Sequence, residues 1–140
     1  MKKTIQAIIL CSISLSALAA EPTFDSMIGE WVGVSNSSVL GPDPHHQRVT
    51  PEAAEFRHKE FTYTVTKQEG RNFAGTMKSA SRSEPIVGVI RSDRKNGFIV
   101  DTDGVALFTL LDKNRIELCY TQTLVSGSSM VASCFELNRK

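Results

Sequence analysis

The chain has 140 residues, 16 basic and 15 acidic side chains, 41% hydrophobic residues and a single tryptophan. It carries no basic tract, so the electrostatic footprint of a nucleic-acid binder is missing, and no acidic tail is present either. A length of this order makes one domain that buries roughly two-thirds of its unfolded surface, enough for a single core.

Residues 1–20 read as a secretory signal. Lys2 and Lys3 form the positive start, an apolar stretch follows to Leu18, and Ala17-Leu18-Ala19 is a small-x-small cleavage site, with Ala20 offering a cut one residue later. The apolar stretch is short for a ~20-residue membrane span, and Glu21-Pro22 follows it at once. Leu10 before Cys11 departs from the lipoprotein pattern, which wants a small residue there. The compact, lysine-first form points to bacterial export, to the periplasm or beyond. The expected organisation is therefore a signal peptide over 1–20 and a single β-barrel domain over 21–140. Losing Lys2 and Lys3 leaves 14 basic against 15 acidic residues, a formal net charge of −1.

Short β-type runs broken by turn residues then follow in order. The first spans 28–34. A long gap over 35–60 holds Pro42, Pro44 and Pro51, with a short helix predicted after Thr50 as N-cap, Pro51 in the first turn and Glu52 at the positive helix end. A connection of this length often serves as a lid or contact loop. The run 61–68 alternates, with Phe61, Tyr63 and Val65 on one face and threonines on the other. Next comes 72–79. A three-residue loop over 69–71 with a glycine bulge pairs Val65 with Gly75 and Tyr63 with Met77, so that the apolar faces agree. The runs 86–91, 98–101 and 105–111 follow, with Asn96-Gly97 and Asp103-Gly104 as hairpin turns.

The last two runs, 116–125 and 130–137, constrain each other. A turn at Ser126-Gly127 sets Leu118 against Phe135, Ile116 against Leu137 and Cys119 against Cys134. It also sets Glu117 against Glu136, an unfavourable pair. Cys11 leaves with the signal, so Cys119 and Cys134 remain as an even pair in an oxidising compartment and are predicted to form a disulfide.

Eight meandering strands close most readily into a barrel, because closure removes the exposed edges. The predicted fold class is all-β: an eight-stranded antiparallel up-and-down barrel whose long first connection contains a short helix. Gly29-Glu30-Trp31, opening such a meander, resembles the Gly-x-Trp of the calycin superfamily, which includes lipocalins and avidins. The resemblance implies that Trp31 closes one barrel end and meets a basic residue of the last strand, a role Arg139 matches by position. Avidins line their biotin site with several tryptophans; with one, this chain does not extend the likeness to biotin. The strings Lys67-Gln68-Glu69-Gly70-Arg71 and Glu117-Leu118-Cys119-Tyr120 also resemble small exported bacterial proteins of uncharacterised function, a likeness that assigns no activity.

Catalytic and metal motifs are absent. No serine sits in Gly-x-Ser-x-Gly, and His45, His46 and His58 fall in or beside the long gap with no suitably spaced acidic or cysteine ligand, so they are expected to be solvated loop histidines. Asp101-Thr102-Asp103-Gly104 starts like a calcium loop, but Val105 occupies the next ligand position. The chain is accordingly read as a binding protein rather than an enzyme, with no cofactor, no metal, no nucleic-acid partner and no membrane association after signal cleavage. Tyr120, Gln122 and Ser133 share the inward face with Leu118 and Phe135. With Tyr63, Met77 and Trp31 they would line a mostly apolar pocket with a few orienting polar groups, the usual form of a small-molecule site. The alternative is a protein-interaction module, such as an exported hydrolase inhibitor, acting through residues 39–51 or an arm over 21–26. A filled barrel favours the second reading and an open cavity the first.

Overall fold

The computed structural model describes residues 26–43, 45–46, 49–122 and 129–140. Eight antiparallel strands close in chain order into one barrel: β1 (Gly29–Leu40), β2 (Glu55–Glu69), β3 (Asn72–Lys78), β4 (Ser83–Ile90), β5 (Asn96–Val100), β6 (Gly104–Asp112), β7 (Arg115–Gln122) and β8 (Met130–Arg139). Period-2 alternation drives this arrangement. Every other residue of β6 and β8 is buried, as are Phe61, Tyr63 and Val65 in the middle of β2, and the inward set, from Trp31 through Tyr63, Met77, Phe108 and Leu118 to Leu137, makes one continuous core. The chain ends β1 and β8 pair with each other, so no strand edge is left open.

The predicted registers hold where apolar residues set them. Tyr63 faces Met77 and Val65 faces Gly75. Leu118 faces Phe135, Ile116 faces Leu137, and Cys119 faces Cys134, to which it is disulfide-bonded. Glu117 does oppose Glu136, and Arg115 offsets the repulsion by reaching Glu136 at 3.2 Å. The turn expected at Ser126-Gly127 lies outside the described residues.

Several local expectations need correction. The β2–β3 shift comes from a bulge between Val65 and Lys67, not from a three-residue loop. The turn itself is Gly70-Arg71, with Gly70 in the left-handed region at φ 57°. Gly97 and Gly104 lie inside strands, not in turns. A Cβ on Gly97 would strike the Phe108 ring, and one on Gly104 would strike the Tyr120 ring, so these glycines make room for aromatic side chains in the barrel. The β4–β5 turn instead places Arg94 at φ 56°, and the β5–β6 turn is held by the Asp101 carboxylate, which accepts the N–H groups of Asp103 and Gly104.

The first connection is also shorter than the sequence suggested. β1 runs on to Leu40 and β2 begins at Glu55, because Ser35 and Ser37 face inward as a strand continuation in polar form. Their hydroxyls bond each other at 2.8 Å, and Ser133 of β8 donates to Ser37 at 2.7 Å, so the buried hydroxyls satisfy one another. Pro51 and Glu52 form a turn, and no helix occurs among the described residues.

Candidate functional site

The two barrel ends differ. At the base, Arg139 stacks over the Trp31 ring at 4.2 Å and donates to the carbonyls of Ile28 and Ser26, while the indole N–H donates to the Met27 carbonyl at 2.9 Å. Trp31 thus plugs the base with the basic residue of the last strand against it, the geometry that the Gly-x-Trp resemblance implies.

The other end, the mouth, is covered by the β1–β2 connection. His45 and His46, expected to be solvated, are buried there and pack on Phe61 with ring centroids 5.5 and 6.4 Å away. The Asp43 carboxylate accepts the backbone N–H groups of both histidines and a hydrogen bond from the Gln122 side chain. One ring nitrogen of His45 meets Ser79 Oγ at 2.8 Å and the other meets Glu84 at 3.2 Å. Lys59 donates to the His45 carbonyl. Charge and hydrogen bonding, rather than apolar packing alone, hold the connection down.

Under this cover lies a cavity of about 30 Å³, lined by Asp43, His45, His46, Phe61, Tyr63, Met77, Asp101, Tyr120, Val131, Ser133 and Phe135. Five of the residues proposed from sequence as a pocket wall therefore converge: Tyr63, Met77, Tyr120, Ser133 and Phe135. Gln122 touches the site only through Asp43, and Trp31 stands apart at the base. A larger depression of about 450 Å³ lies on the outside of β1–β4, floored by Thr62, Thr64 and Thr76 and edged by Lys59, Lys78 and Lys140.

The titratable groups at the mouth are tuned by burial and by their neighbours. Burial pushes the Tyr120 phenol far above its ordinary range, reinforced by the Asp101 and Asp103 carboxylates, so it remains a donor to Asp103 at 3.0 Å. Burial raises Tyr63 likewise. Burial also raises Asp101, and the nearby Asp103 adds to the effect. For Glu84, burial is outweighed by hydrogen bonds from Thr102 and His45 and by the Arg82 charge at 2.5 Å, which hold its carboxyl below the usual range. Burial lowers His46 from its ordinary 6.5.

Two arrangements here carry chemical possibilities that sequence patterns did not show. Ser79, His45 and Glu84 stand in the order of a hydrolase triad. Ser79 is only 4% exposed, and its hydroxyl also accepts the Ser81 N–H at 3.4 Å. Carboxylate oxygens of Glu84, Asp101 and Asp103 lie within 4.8 Å of one another, the spacing of a hard-cation site. Each of these side chains already accepts hydrogen bonds from the protein: Glu84 from Thr102, Asp101 from two backbone N–H groups and Asp103 from Tyr120. No signal in the linear sequence ties His45 to Ser79 and Glu84, since these contacts span 34 and 39 residues.

No family model matches the chain, and neither the curated proteins nor the solved structures yield a match.

Proposed function

We propose that the protein is exported, loses residues 1–20, and works as a protein-interaction module whose contact surface is the rim of the barrel mouth. The Cys119–Cys134 bond fits the oxidising compartment that this requires. The observation that carries the reading is the filled interior: a cavity of about 30 Å³ is far below the roughly 300–1,000 Å³ of a small-molecule site. The β1–β2 connection is fastened by Asp43, His45 and Lys59, which limits the ordering cost of presenting it to a partner. Beside it, Phe56 projects from the outside of β2 with 80% of its surface exposed, and Met130 stands exposed two strands away across β1. An exposed aromatic on a rigid frame is the usual anchor of a protein–protein contact, here suited to an apolar cleft such as that of a hydrolase.

A second reading, a carrier of a small apolar ligand, draws support from the convergence of Tyr63, Met77, Tyr120, Ser133 and Phe135 on one cavity. It requires the His45–His46 segment to move aside. Native mass spectrometry of protein purified from its own host separates the two. The interaction reading expects a retained protein partner that Phe56→Ser releases. A retained small molecule that survives Phe56→Ser would overturn it in favour of the carrier.

A further inference from the structure

The outer wall of the barrel is not uniform. On β1–β3 the outward positions are mostly threonine, lysine, glutamate and other polar residues, whereas on β4–β6 they are mostly apolar: Val87, Val89, Phe98, Val100, Leu107 and Leu111 are between 37 and 59% exposed, and Thr109 stands among them. The strand pairing sets them side by side. Val89 faces Phe98 and Phe98 faces Leu107, while Val87 faces Val100 and Val100 faces Val105, so two apolar rows cross three strands without a charge between them. Such a patch amounts to on the order of 500 Å², at the upper end of what a monomeric soluble protein exposes. A barrel that sits in a membrane needs an apolar band all the way round, which the threonine- and lysine-bearing side denies.

We propose that this face is where a second copy of the chain docks. Two patches laid face to face remove on the order of 1,000 Å² from water, the lower bound for a specific interface. The charges at its two ends select the arrangement. The β4–β5 turn, on the base side, carries Arg91, Arg94 and Lys95, with Asp93 bridged to Arg91 at 3.9 Å. The β5–β6 turn, on the mouth side, carries no cation; its Asp103 is buried and its Asp101 half-buried. A two-fold axis lying in the interface, perpendicular to the barrel axis, brings the basic end of each copy over the cation-free end of the other, an isologous and self-limiting contact, whereas parallel stacking would set the two basic turns together. In the closed ring β5 lies opposite β1, so the rim that bears Phe56 and Met130 points away from the interface in both copies. The dimer therefore leaves both rims free, and it stands whether or not the rim binds a partner.

The test is sedimentation equilibrium of the oxidised mature protein over a concentration series. The expected result is a reversible monomer–dimer equilibrium whose dissociation constant rises at least about tenfold in Leu107→Lys and in Val87→Lys, each of which loses an apolar contact. Val34→Lys, an equally exposed valine on β1, should leave it unchanged. All three substitutions lie on the outside, and circular dichroism with intact disulfide checks that the fold survives. Monomer at every soluble concentration would overturn the proposal. So would a dimer that Leu107→Lys does not weaken, or one that Val34→Lys weakens equally. Flotation with anionic phospholipid vesicles that disappears in Leu107→Lys would assign the face to a membrane surface instead, and would equally overturn it.

Discussion

His45 and Glu84 approach to 3.2 Å across the barrel mouth, and because the other ring nitrogen of His45 meets Ser79, one side chain joins the β1–β2 connection to both ends of the β3–β4 turn. Removing that imidazole leaves Asp43, Lys59, the Gly41–Thr50 backbone bond and the packing of His46 and Val49 to hold the connection. His45→Ala is expected to lower stability by about 1–3 kcal/mol, since buried polar groups lose their partner. Hydrogen exchange should also rise in the backbone of 41–50. His58→Ala, on the outward face of β2, serves as the control and should change neither quantity.

The buried His46 predicts a specific response to pH. Its folded-state pKa lies below the ordinary 6.5, so between the two values the unfolded chain binds the extra proton. Stability is then fully present above 6.5 and falls as the pH drops from there toward the folded value. Glu84, whose pKa is depressed, loses stabilisation only at lower pH, as the solution passes from its ordinary 4.5 toward the folded value. Asp101 has a raised pKa and works in the opposite sense, stabilising the fold where it is protonated. The first loss on acidification should therefore come from His46. Thermal melts in a pH series should show a falling transition just below 6.5 in the native protein, and His46→Gln should flatten it. An unchanged slope in the variant would assign the loss to another group.

What was legible in the sequence depended on whether apolar residues marked the inward face. Phe61, Tyr63 and Val65 set the register of β2, and Leu118, Phe135 and the cysteines set that of β7 and β8, so alternation, the number of meandering strands and an even cysteine pair together pointed to the barrel and its disulfide. The second half of β1 escaped because Ser35 and Ser37 satisfy each other and Ser133 inside the barrel, which no propensity records. Glycines misled in the other direction. Gly97 and Gly104 resembled turn residues, but their lack of a side chain serves Phe108 and Tyr120 on neighbouring strands. The mouth was the least legible part, since His45 owes its burial to partners 34 and 39 residues away.

The disulfide closes a loop with a sequence separation of 15 residues. In the chain-entropy model a bond of that span stabilises by about 3 kcal/mol, through restriction of the unfolded chain. Cys119→Ser combined with Cys134→Ser should lower the urea midpoint by the equivalent amount and keep the far-ultraviolet spectrum, because Leu118–Phe135 and Ile116–Leu137 still pair the two strands. A reductant should shift the native protein to the same midpoint and leave the double variant unmoved. A non-reducing peptide map with two free thiols would remove the premise.

Tyr120 decides between a structural and a ligand-binding mouth. Its hydroxyl donates to the buried Asp103 at 3.0 Å, and Gly104 gives its ring the space to do so. Burial and the two nearby carboxylates keep the phenol protonated, so the bond persists over the whole working pH range. Tyr120→Phe deletes that donor and almost no volume. If the group serves the fold, stability should fall by about 1–3 kcal/mol, because a buried carboxylate loses a hydrogen bond. If it orients a ligand, stability should hold while a ligand-induced shift in melting temperature shrinks. Melting both proteins with and without extract of the host distinguishes the two. The geometry predicts a destabilised variant and the same extract-induced shift, zero included, in both proteins. A variant that melts like the native protein alone, yet loses a shift the native protein shows with extract, would return the mouth to the carrier reading.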